Sequence, residues 1–410
     1  MNTPRVTGRM QAARDVVVMG GGVIGLSVAW QGARRGLRVA VVDPVPGRGA
    51  SFVAAGMLAP VTELHYGEQE LLRLSIASAR RYPSFVAELE EDSGRPAGYR
   101  ACGTLAIALD ADDRSVLADL HTFQASLDLS AHWLTRRECR ELEPMLSPAI
   151  RGGLHVEGDH QIDNRMLVAA LLSACEHRGV DLVRQEAAEL LVEGDAAAGV
   201  RLGDGTEVRA PATVLAAGCW SASLAGLPAE VVPPVRPVKG QLLRLQMPAG
   251  DVPFLSRTVR GLIRGSNVYL VPRTHGELVI GATSEEMGYD TTVTAGAVYE
   301  LLRDARELVP GVTELRLVET LAGLRPGSPD NAPMIGPSAL PGLIVATGHY
   351  RNGILLTPVT ADALAESLTT GALPAVAAPF TPRRFLAPAR EGAGLQVPAT
   401  PAPSAQEVTR

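Results

Sequence analysis

The first apolar run of the chain, Val16-Val17-Val18-Met19, leaves no position for water, the pattern of a strand buried on both faces. Past the glycines at 20–22, residues 23–35 carry apolar side chains at helical spacing and stop at Gly36, a C-cap residue. Val39-Ala40-Val41-Val42 is a second doubly buried strand, so 15–43 predicts one right-handed βαβ unit. Helical spacing predicts further helices over 68–92, 164–177, 294–308 (capped by Thr294) and 353–368. Alternation predicts strands at 103–110 and around Leu182, Leu190, Val200 and Val208, with Gly203-Asp204-Gly205 as a turn. Stretches 213–218 and 342–347 return to the doubly buried type, while 237–282 is strand-rich, including 267–271 and 278–281.

Doubly buried strands thus lie at both ends and near residue 215, with alternating strands between them. This predicts an α/β, two-domain chain: a discontinuous Rossmann-type domain over 15–85, 150–225 and 320–387, and an inserted antiparallel-sheet domain over 86–149 and 226–319. Residues 1–14, with Arg5, Arg9 and Arg14 but no apolar core, and 388–410, rich in Ala, Pro, Gly and Ser, are expected to be disordered.

Composition narrows the classes. With 46% hydrophobic and 20% charged residues among 410, the chain reads as globular. A net charge of −6 disfavours nucleic-acid binding, and no apolar run reaches the length of a membrane span, so no membrane is expected and the cytoplasm is the default. Cys102, Cys139, Cys175 and Cys219 form no CxxC pair and the histidines are scattered, so no metal is expected and the thiols read as reduced.

Gly20-x-Gly22-x-x-Gly25 follows a strand and opens a helix, the context that a dinucleotide fingerprint requires. Gly20 makes the tight turn, Gly22 admits a pyrophosphate to the backbone, and Gly25 allows close helix–strand packing. The helix N-terminus supplies N–H groups for phosphate. Asp43 ends the second strand, placed to accept from ribose hydroxyls and to repel a 2′-phosphate. A glycine-rich turn without a ligand is the plain alternative, and these residues leave FAD and NAD both open.

Further segments carry a resemblance: Ala54-Ala55-Gly56-Met57-Leu58-Ala59-Pro60, Pro237-Val238-Lys239-Gly240-Gln241, Val268-Tyr269-Leu270-Val271-Pro272-Arg273, Gly323-Leu324-Arg325-Pro326-Gly327 and Gly348-His349-Tyr350-Arg351-Asn352-Gly353-Ile354-Leu355. With the fingerprint they resemble the D-amino-acid-oxidase-like flavoproteins, and among these the glycine oxidases of the thiamine-biosynthesis type, over residues 15–368. The resemblance implies non-covalent FAD; no cysteine lies at 325–330, where some relatives link their flavin. It implies that Val23 and Ile24 lie along the pyrophosphate, that Asp43 and Pro44 meet the ribose, and that Ala50, Ser51, Ala55, Gly56 and Met57 pass pyrophosphate and flavin. It implies that His349, Tyr350, Arg351, Asn352, Gly353, Ile354 and Leu355 cover the flavin's pyrimidine edge at a helix N-terminus, and that a backbone contact to adenine falls at Glu189. Arg325, Arg351 and the Tyr269 hydroxyl would hold the substrate carboxylate, a group that a guanidinium fork matches. No catalytic side-chain base is assigned.

The implied reaction is oxidation of glycine, sarcosine or a small D-amino acid by oxygen to the 2-oxo acid, ammonia and hydrogen peroxide, supplying thiazole synthesis, in a homo-oligomer. Two alternatives stand beside it: a dehydrogenase passing electrons to a carrier, and a non-catalytic flavin-binding subunit. Plainer roles also stand for single residues: Arg325 as a surface loop arginine, Tyr269 as a cross-strand aromatic, His349, Cys219 and Trp220 as packing, and Lys239 as a structural lysine. Ser284, after Gly281-Ala282-Thr283 where glycine oxidases can carry Met, is expected to widen or polarise the pocket.

Overall fold

The computed structural model describes residues 14–248, 254–263 and 265–386; of the ends expected to be disordered, 1–14 and 388–410, only Arg14 lies among them, paired with Asp181. A six-stranded sheet runs Met334–Pro337, Leu343–Thr347, Ala212–Leu215, Val16–Met19, Val39–Val42, Asp181–Val183 in spatial order. Its pairs are parallel except for the antiparallel Met334–Pro337 edge.

Strand alternation explains why the sheet is buried twice over. Val16, Val18, Val39 and Val41 face a helical layer formed by Val23–Arg34, Gln69–Ser93, Asn164–His177 and Thr357–Thr370. Val17, Met19, Ala40 and Val42 face a three-stranded antiparallel layer, Ala187–Glu193, Ala196–Leu202 and Glu207–Arg209. The helix ends follow their expected chemistry: Asp163 caps Asn164–His177 by accepting from Arg165 N and Met166 N, and Thr294 caps Ala295–Leu308.

The second large sheet has eight strands, in the order Arg316–Gly327, Arg236–Gln246, Glu277–Gly281, Ser266–Pro272, Thr258–Ile263, Thr104–Ala108, Gly152–Val156, His132–Leu134. Helix Ala295–Leu308 covers one face, packing Leu301, Ala305 and Leu308 against Leu243, Leu270 and Ile280. The neighbours of those residues, Leu242, Val271 and Val279, point the other way and meet Ala55 of the first layer system.

Several expectations need correction. The second sheet is mixed rather than antiparallel, because Thr258–Ile263 pairs parallel with Thr104–Ala108. Gly152–Val156 and all of Arg316–Gly327 belong to it, through pairing with Thr104–Ala108 and Arg236–Gln246, so the boundary expected at 150 separates Gly152–Val156 from its sheet and the one at 320 falls inside Arg316–Gly327. The boundary at 85 falls inside helix Gln69–Ser93, whose Phe85 and Leu89 share one core with Leu26 and Leu171. Arg325 is a strand residue paired with Val238, not a loop residue. The last helix begins at Thr357 with Pro358 in its first turn, after a short turn over Tyr350–Asn352 where Tyr350 has φ +47°, so 349–355 precede the helix instead of opening it.

Candidate active site

One cleft of about 650 Å³ lies between the two large sheets and holds nearly all the residues singled out in the sequence. Its first end is the phosphate loop. Gly20 has φ +104°, and a Cβ there would land on Ala216 O; a Cβ on Gly25 would land on Gly20 O. At Gly22 an added methyl would meet only Ser51 Oγ at 3.3 Å, so the space its missing side chain leaves opens into the cleft. Gly22 caps helix Val23–Arg34 without a side-chain acceptor, and Ser51 Oγ accepts from Val23 N at 2.9 Å, leaving its O–H for an anion. Asp43 lines the same end; its Oδ2 accepts from Gly21 N at 2.7 Å and its Oδ1 from Val45 N at 2.8 Å. These two bonds tie loop to strand end, and each oxygen keeps a lone pair.

Val23, Ile24, Pro44, Ala50, Ser51, Ala55, Gly56, Met57, His349, Tyr350, Arg351, Gly353 and Ile354 also line the cleft. Gly25, Asn352 and Leu355 do not: Gly25 is pressed on Gly20, and Leu355 lies in the helical core. Glu189 is outside as well. A register shift between Ala187 and Glu189 turns Ala187 and Ala188 to the cleft and sends Glu189 to an ion pair with Arg201. Trp220, read as core, is 50% exposed on the rim, while Cys219 beside it is buried in the wall. Ser284 is exposed and outside the lining, so it neither widens nor polarises this cleft.

The other end is cationic. Arg325 projects from its strand over Gly240, where any Cβ would collide with the guanidinium, and Nη1 donates to Thr283 O at 3.0 Å. Tyr269 arrives from Ser266–Pro272 to line the same end of the cleft, where the charge of Arg325 acts on it. Burial raises the Tyr269 pKa against the opposing pull of Arg325, so it remains a phenol and a donor. Arg351 is exposed at the mouth, with its guanidinium 5.3 Å from the Tyr350 ring centre. Among the described residues neither Arg325 nor Arg351 forms a salt bridge.

Sequence reasoning missed Glu63, which lines the cleft, acts electrostatically on Tyr269 and pairs with Arg260 at 3.3 Å. The only signal was a carboxylate three residues beyond Pro60. Its loop is held by the buried Asp159, which accepts from Val61 N (3.1 Å), Thr62 N (2.7 Å) and Thr62 Oγ1 (2.7 Å); burial lifts the Asp159 pKa to about 6. His349 is buried with Nε2 3.1 Å from Thr360 Oγ1, and burial lowers its pKa to about 3. It is therefore a neutral imidazole in the cleft wall, with its Nε2 turned to Thr360. Lys239 is also buried and donates to Asp290 at 2.6 Å, a structural role.

Among the described residues there is no group of three potential metal ligands and no helix long and apolar enough to cross a membrane. The phosphate loop and the acid at Asp43, in one cleft with residues from 50–57 and 349–354, fit an extended dinucleotide such as FAD.

Comparison with known proteins gives the same cofactor. A glycine oxidase from Geobacillus kaustophilus is 34% identical over 91% of this chain and 97% of its own. Its crystal structure superposes with a TM-score of 0.83 at 33% identity, covering 92% of this chain and 100% of that one. A bifunctional protein ThiO/ThiG from Synechocystis sp. is 34% identical over 92% of this chain, which spans 55% of that relative's length. The chain thus spans about half the length of the bifunctional relatives it matches. The profile of the FAD dependent oxidoreductases matches residues 15–367, nearly the whole described chain, and with the phosphate loop and its acid this places the protein in that family.

Proposed function

We propose that the chain oxidises glycine or a related small amine bearing a carboxylate to the imine, with oxygen reduced to hydrogen peroxide and water releasing the 2-oxo acid and ammonia (methylamine from sarcosine), and that this oxidation supplies thiazole formation in thiamine synthesis. The observation that carries the reading is Arg325: a guanidinium without an acidic partner, beside a phenolic donor, in the same cleft as a dinucleotide loop. When bound, FAD supplies the two-electron acceptor. Gly20, Gly22, Ser51 and Asp43 are the residues to hold its phosphates and ribose.

Arg325 presents a planar fork to the carboxylate and Tyr269 adds one O–H, so the substrate is fixed at three points of one end. Fixing that end limits the directions in which the Cα–H can point, the main contribution a protein makes to such a reaction. Glu63, paired with Arg260, places a carboxylate on the cleft beside this clamp. His349, neutral and hydrogen-bonded to Thr360, adds no positive charge to this wall.

The test is a panel of glycine, sarcosine and small D-amino acids incubated with FAD-loaded protein in air, read as peroxide release. Turnover of at least one is expected, and turnover of none overturns the reading. Reoxidation that is slow with oxygen and fast with a quinone dye would instead assign a carrier-linked dehydrogenase.

A further inference from the structure

We infer that Arg273 is a positioning residue, which holds the substrate clamp in register with the segment lining the cofactor cleft; the inference rests on the reading of Arg325 and Tyr269 given above. Residues 269, 271 and 273 follow one another at the strand period of two, on one face of the chain. Tyr269 faces the clamp, Val271 packs with Ala55, and Arg273 is buried against the same segment. Its Nη2 donates to Ala55 O at 2.7 Å and Asn164 Oδ1 at 3.2 Å, and its Nη1 to Ile162 O at 3.0 Å and Gln161 Oε1 at 3.1 Å.

Asn164 extends the reach of this guanidinium. Its Nδ2 donates to Ser51 O at 2.8 Å and Phe52 O at 3.0 Å, while its Oδ1 takes the Arg273 bond. Gly56 closes the stitch: its carbonyl accepts from Ile162 N at 2.8 Å, with φ +74° and no room for a Cβ against Ile162 O. Segment 51–56, one wall of the cofactor cleft, thus hangs from a side chain four residues along the strand from Tyr269. The nearest carboxylate, Asp163, stands 3.8 Å from Nε and itself caps a helix, so the cation is held mainly by neutral acceptors. Only arginine offers a planar set of donors to four acceptors at once; a lysine offers one nitrogen. A buried cation held this way costs desolvation, and burial lowers its pKa to about 10. That cost is consistent with a geometric task for the residue.

The test uses full-length Arg273→Met and Arg273→Lys. In the FAD-loaded proteins, amide hydrogen exchange of 51–57 is expected to rise about tenfold in Arg273→Met while helix Val23–Arg34 is unchanged. In the FAD-loaded proteins, anaerobic mixing with the amine that wild type oxidises best should show a limiting flavin-reduction rate lowered at least about tenfold. Half-saturation should move less than about threefold, and Arg273→Lys should regain part of the rate. A limiting rate within threefold of wild type, or a change in half-saturation alone, overturns the inference. Should Arg273→Met fail to fold, Asn164→Ala removes only the outer layer and must lower the rate in the same direction; an unchanged rate there also overturns it. Wild-type protein that no amine reduces defeats the proposed function instead, and the exchange measurement still decides the tether.

Discussion

Arg325 reaches the cleft only because residue 240 is glycine. A methyl there would occupy the volume of the guanidinium, so Gly240→Ala should displace the clamp without touching the cofactor end. Arg325→Ala should raise KM for the amine about a hundredfold while FAD stays bound, since one charge-assisted fork is lost and the phosphate loop is not. Steady-state kinetics beside the flavin absorbance of the same sample checks both halves. His349 yields a prediction of another kind. Its pKa is near 6.5 unfolded and about 3 folded, so below pH 6.5 the unfolded chain binds a proton that the folded chain refuses. Stability should therefore be full above pH 6.5 and fall as pH drops towards 3, by up to about 1.4 kcal/mol per pH unit from this group. Urea midpoints across that range should fall less steeply for His349→Gln.

The phosphate loop is the element whose form and task follow most directly from sequence. Doubly buried strands and an uninterrupted helical period leave one arrangement for 15–43, and the glycines fall where the backbone turns against Ala216 and itself. Gly25→Val should therefore abolish FAD retention, because its side chain must push the helix away from Gly20 O; dialysed protein from that variant should be colourless. Other elements were not legible. The edge strand Arg316–Gly327 exposes Leu317 and Val318 and buries Leu324, so its pattern alternates poorly, and its glycines and proline read as a loop. Gly152–Val156 begins with two glycines, and only pairing with Thr104–Ala108 makes it a strand. The turn at Tyr350 needs a left-handed non-glycine residue, which no periodicity announces.

At the scale of the molecule, the cofactor loop and the clamp belong to different sheets, and the reaction needs them to share one cleft. The N-terminal unit alone left FAD and NAD open. The segment Ala54–Pro60 and motifs some 300 residues later carried the resemblance that separated them, and the family match confirms FAD. The roles of Glu63 and Arg273 escaped the sequence reading because each acts through contacts across this junction, Glu63 with Arg260 and Arg273 with Ala55 and Ile162. Their partners lie about 110 to 220 residues away along the chain, beyond any local pattern. The most direct measurement is anaerobic mixing of the FAD-loaded protein with glycine, sarcosine and small D-amino acids, followed by flavin absorbance. Bleaching by at least one of these amines, at a half-saturation that Arg325→Ala raises sharply, is the predicted result. Absorbance unchanged by every amine, or bleaching to which Arg325→Ala is indifferent, would contradict the account.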